Sequence, residues 1–112
     1  MDSYQEFINE AEKNLEAAKQ DFDSGNSYGA IFSCGQSIEN ALTALYIKRF
    51  RKEPIKREPV YLVRELKLPQ EIVEKSDKVT RIYNPILTSS SPFARNFIQI
   101  TETILTYVKQ NL

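Results

Sequence analysis

Tyr4, Phe7, Ile8, Ala11, Leu15, Ala18 and Phe22 recur at three- and four-residue steps. That spacing puts them on one face of a helix over roughly residues 3–23. The stretch DSGNS then reads as a turn, in which Gly25 takes a positive φ and Asn26 or Ser27 caps the next helix. A second helix follows over about 27–51. Tyr28, Ile31, Gly35, Ile38, Leu42 and Leu45 form one stripe along it, and the small residues Ala30, Cys34, Ser37, Ala41 and Ala44 form another. Two stripes predict a central helix with neighbours on more than one side, and small side chains allow close approach. Gly29 and Gly35 each weaken such a helix by roughly 1 kcal/mol relative to Ala, so packing must hold it. The small stripe suits either an internal seam or a dimer seam.

Prolines punctuate the second half. KEPIKREP, residues 52–59, is a basic loop bounded by proline. Pro59 opens a short helix carrying Val60, Leu62, Val63 and Leu66. Pro69 suits the first turn of a fourth, LPQEIVEKSDKVTRIYN, whose core candidates are Ile72, Val73, Val79 and Ile82. Pro85 ends it. After TSSSP, with Ser91 as cap and Pro92 in the first turn, a last helix presents Phe93, Phe97, Ile98, Ile100, Thr101, Ile104, Leu105 and Val108. No strand alternation and no repeat are present. The pattern predicts an all-α, antiparallel up-and-down bundle of four to five helices, as one domain over residues 1–112.

Composition narrows the function classes. Fifteen Lys and Arg balance fifteen Asp and Glu. The net charge therefore gives no global drive toward nucleic acid or an anionic membrane. The charge is split along the chain, however. Residues 1–23 hold Asp2, Glu6, Glu10, Glu12, Glu16, Asp21 and Asp23 against Lys13 and Lys19, whereas 48–59 hold Lys48, Arg49, Arg51, Lys52, Lys56 and Arg57 against Glu53 and Glu58. The basic run reads as a solvated loop rather than an RNA track. Cys34 is the one cysteine, which excludes an internal disulfide and a Cys-rich metal site and reads as a core residue. The N-terminus is acidic with no apolar signal core, and no run spans a membrane, so a cytoplasmic protein with no metal or cofactor is expected.

The chain from DFDSGNSYG through ALTALYIKRF resembles the second-helix signature of HEPN domains (higher eukaryotes and prokaryotes nucleotide-binding). The family pattern, an aromatic and then A-x-F/Y-x-x-x-Q-x-x-E-x-x-L-x-A-L, reads here as Tyr28, Ala30, Phe32, Gln36, Glu39, Leu42, Ala44 and Leu45. Arg81, Tyr83 and Pro85 are similar, in looser spacing, to the family's R-Y-P step. The resemblance implies a small helical bundle, commonly a homodimer. Many members are metal-independent RNases with an R-x(4–6)-H motif; others have lost catalysis, and some pair with a minimal nucleotidyltransferase as toxin and antitoxin. If Arg81 is the motif arginine, the histidine belongs at 86, 87 or 88, where Ile86, Leu87 and Thr88 stand.

The chain contains no histidine anywhere. Cleaving RNA through its 2′-hydroxyl needs proton transfers near neutral pH, where imidazole titrates and ordinary carboxylates, amines and phenols do not. Glu39 is the candidate substitute base; its other reading is a satisfied polar residue of the central helix, holding Gln36 or an arginine. Arg81 reads either as a cation at a helix C-terminus or as part of an anion site. In the second reading Arg81, Tyr83, Asn84, Ser90, Ser91 and Arg95 gather around the hydroxyls and free N–H groups at the start of the last helix, and Tyr83 stacks on a base. The expected protein is therefore a non-catalytic or atypical HEPN module that binds a nucleotide, RNA or a partner protein. The alternatives are a metal-independent ribonuclease with a substituted base and a purely structural helical adaptor.

Overall fold

The computed structural model describes residues 3–81 and 91–112, with backbone only at 3, 79–81 and 91. Among them run five helices and no strand: α1 (Ser3–Asp23), α2 (Ser27–Phe50), α3 (Pro59–Glu65), α4 (Gln70–Arg81) and α5 (Ser91–Gln110). The all-α bundle expected from the periodicity is the fold.

The α1–α2 corner is built from three residues. Gly25 takes φ 85°. The N–H of Gly25 then reaches the carbonyl of Phe22, and that of Asn26 the carbonyl of Asp21, closing the end of α1 in a Schellman motif. The Asn26 side chain turns forward and accepts the Gly29 N–H at 2.9 Å, capping α2. A β-carbon at Gly29 would run into that cap and come within 2.8 Å of the Asp21 carboxylate. Gly29 thus has a steric reason to be glycine.

The small stripe of α2 is an internal seam. Ala30, Cys34, Ser37, Ala41 and Ala44 are fully buried, as are Ala11 and Ala18 of α1. The helices come close enough for the Ser37 hydroxyl to donate to the Ala11 carbonyl at 2.7 Å, which also satisfies a buried polar group. Lys19–Glu102 at 3.1 Å and Lys109–Glu12 at 3.3 Å show α5 running antiparallel to α1, and so in the same direction as α2. The central helix packs against both other long helices, which also meet each other through these ion pairs. α3 and α4 form the return between α2 and α5.

The expected core is largely present: Leu62, Val63, Leu66, Ile72, Phe97, Ile104 and Val108 are buried. Two aromatic residues depart from the stripes. Tyr28 is 55% exposed and Phe93 39% exposed, because each sits in the first turn of its helix. Val60 and Val73 are half-buried, the side chain of Val79 is not described, and Ile82 and Pro85 lie outside the described residues. No helix among the described residues is long and apolar enough to cross a membrane.

Candidate functional site

The candidate residues fall into two groups. Arg81 is the last described residue of α4 and Ser91 opens α5; their side chains, and all of Tyr83, Asn84 and Ser90, lie outside the described residues. Arg95 is one turn into α5. Its guanidinium stands 5.6 Å from the centre of the Phe22 ring, at the far end of α1. It forms no ion pair among the described residues, although Asp23 and Glu102 line the same groove of about 310 Å³ with Lys19, Phe22, Ile98 and Gln99. Lys19 is engaged by Glu102. The groove therefore holds one arginine that is pre-oriented by an aromatic face and keeps its charge available.

Glu39 sits on α2, with its side chain 41% exposed, and its carboxylate lies 3.6 Å from the Nε of Arg57. The same guanidinium donates to the side-chain amide oxygen of Asn40 at 2.9 Å and, less closely, to the Thr43 hydroxyl at 3.4 Å. Asn40 in turn donates to Asn14 of α1 at 2.8 Å. Arg57 also lies over the Phe7 ring at 4.7 Å. Of the two partners weighed for Glu39, an arginine is the one found. Gln36 is exposed on the same helix.

Arg57 is the residue the sequence reading missed. It lies in the basic run, whose loop is exposed apart from Pro54, as expected, but several of its side chains are held by neighbouring elements. Lys48 stands over Tyr4 at 4.9 Å and Lys56 over Tyr61 at 5.9 Å. Arg49 donates to the Leu66 carbonyl at 2.7 Å. Arg51 takes φ 60° and its N–H closes α2 on the Ile47 carbonyl at 2.8 Å. Pro54 is buried. A clue was present in the sequence: aromatic residues at the start of α1, a helix that periodicity lays beside the end of α2, offer faces to cations.

A further feature is a row on the outer side of α2. Tyr28 and Phe32 are four residues apart and each more than half exposed, and Gln36 continues the row. The family pattern places Phe32 here, yet it is not part of the core. Cys34, by contrast, is buried, and burial pushes its thiol from the ordinary 9.0 to about 11, with the Thr101 hydroxyl tempering the rise. Such a thiol is unreactive. Among the described residues no three His, Cys, Asp or Glu side chains gather to hold a metal ion.

The HEPN domain profile matches residues 4–111, and the chain belongs to the HEPN domain family. The crystal structure of TT1696 from Thermus thermophilus superposes on it with a TM-score of 0.86 at 20% identity, covering 100% of both chains. That likeness establishes the shared fold. No curated protein matches the chain.

Proposed function

We propose that this protein is a HEPN module without ribonuclease activity, which binds a nucleotide or an RNA strand and acts with a partner protein. The observation that carries the reading is the chain's lack of any histidine, together with the engagement of the one candidate substitute. Glu39 faces Arg57 at 3.6 Å, so its carboxylate is committed to a structural cation rather than to a ribose hydroxyl. Binding is assigned to Arg81, Tyr83, Asn84, Ser90, Ser91 and Arg95. Arg95, over the Phe22 ring at 5.6 Å and without an ion-pair partner among the described residues, supports this reading because an available guanidinium suits phosphate.

The exposed Tyr28–Phe32 row supports a homodimer, since an aromatic pair on an otherwise polar helix face gains from being covered. The partner favoured by the family resemblance is a minimal nucleotidyltransferase, in a toxin–antitoxin-like pair.

The test is titration of the protein with fluorescent ATP, fluorescent GTP and a short RNA. Arg95→Ala and Arg81→Ala are expected to weaken binding by about tenfold each, the scale of one charge-assisted phosphate contact. Absence of binding by the parent chain would favour the structural-adaptor reading instead.

A further inference from the structure

The end of the bundle where α2 stops holds most of the molecule's positive charge. Residues 48–67 carry eight bases against Glu53, Glu58 and Glu65, a local balance of +5 in a chain whose total is zero. Four of those bases are held by the fold: Lys48, Arg49, Lys56 and Arg57. The others, Arg51, Lys52, Arg64 and Lys67, are exposed and form no ion pair among the described residues. Three residues after Lys52 in the chain, Ile55 is 92% exposed, the most exposed large apolar side chain described.

A lone exposed isoleucine is ordinary on a loose loop. Ile55 is not on one. Pro54 beside it is buried, and Arg57 two residues on is fixed by Glu39, Asn40 and the Phe7 ring. The preceding turn is closed by the Arg51 N–H. The loop's ordering entropy is therefore already met before any partner arrives, the condition under which a small contact yields useful affinity.

We propose that this loop is a docking knob for an acidic protein partner, one that offers an apolar socket ringed by carboxylates. Ile55 fills the socket, and Arg51 and Lys52 meet the carboxylates. Two features favour a protein over a uniform polyanion. Glu53 and Glu58 bracket the tip and interrupt the positive charge, which suits a surface with discrete charges better than a continuous row of phosphates. A branched aliphatic tip also gives no flat face on which a base can stack. The proposal specifies the partner-binding part of the function above and rests on that reading. It shares no residue with the assigned nucleotide site, so either can fail without the other.

The probe is a synthetic amphipathic helical peptide with a leucine stripe flanked by glutamates, titrated against the full chain. A version with lysines for glutamates, poly-U RNA and phosphatidylserine vesicles run beside it. The glutamate peptide is expected to bind, more weakly as salt rises. Ile55→Ser and the double variant Arg51→Glu/Lys52→Glu are each expected to weaken it by roughly tenfold or more, the scale of one buried isoleucine. Unchanged thermal melting checks that the variants fold, and unchanged nucleotide binding separates this result from the nucleotide site. No binding of the glutamate peptide, or binding indifferent to both variants, overturns the proposal. So does RNA binding lost on charge reversal while the peptide is silent, which makes the surface a nucleic-acid one. Vesicle binding lost in Ile55→Ser overturns it in favour of a membrane contact.

Discussion

The guanidinium of Arg57 lies 4.7 Å from the centre of the Phe7 ring while its Nε faces the Glu39 carboxylate at 3.6 Å. One side chain from the α2–α3 loop thus joins the first turns of α1 to the middle of α2. Arg57→Ala removes an ion pair, a hydrogen bond to Asn40 and a cation–π contact together. Because the pair is about two-fifths exposed, the expected loss is about 1–2 kcal/mol, most of it from the aromatic and amide contacts. Arg57→Lys should recover little of it, since an ammonium cannot span the ring, the amide and the carboxylate at once. Urea unfolding of the three proteins measures both values.

Both Schellman corners favour glycine, so the substitutions that remove and introduce it have opposite signs. At Gly25, φ 85° with open space around a β-carbon, Gly25→Ala costs about 1 kcal/mol through the backbone alone. At the end of α3 the same motif is closed by Lys67 N–H to Arg64 and Leu68 N–H to Val63, with Lys67 at φ 53°. Lys67→Gly is expected to stabilise the protein by up to about 1 kcal/mol. Paired thermal melts check the two signs.

Cys34 links stability to alkaline pH. Its thiol titrates near 9.0 when the chain is unfolded and at about 11 in the bundle. The folded state therefore keeps its proton where the unfolded state loses it. The contribution is fully present below pH 9 and is lost as pH rises toward 11. That displacement corresponds to about 2–3 kcal/mol at most. Cys34→Ala should flatten that part of the pH–stability curve, after allowing for the cavity it leaves. In the parent at about pH 8, below the ordinary thiol range, a disulfide reagent should label Cys34 only at the rate of global opening.

Much of this fold was legible because its information is local and periodic. The bounds of α1 and the start of α2 follow from the stripe of Tyr4 to Phe22, a glycine and an asparagine. Pro59 and Pro69 likewise mark the starts of α3 and α4. The small stripe on α2 was legible as a seam, but whether it was internal depended on where Ala11 and Ala18 would lie, and that is a tertiary fact. Tyr28 and Phe32 read as core or motif residues and stand in solvent, since periodicity gives a face but not whether a neighbour covers it. Arg57 was missed for a related reason. It contacts Phe7, Glu39 and Asn40, which lie on two other segments, and no spacing in one chain shows that they converge.

Self-association is expected to depend on the outer face of α2. Phe32→Asp places a charge among side chains that a dimer would cover, and should shift the protein to monomer in sedimentation equilibrium, with helix content unchanged. A parent chain that is monomeric at high concentration would contradict the homodimer.

Whether the chain cleaves RNA is decided by incubating the purified protein with cellular RNA in EDTA, beside Arg81→Ala and Glu39→Gln. Intact RNA in every tube is expected of a HEPN module that lacks an imidazole. Cleavage by the parent that disappears in Arg81→Ala would contradict this, and its dependence on Glu39 would show whether that carboxylate replaces the missing histidine.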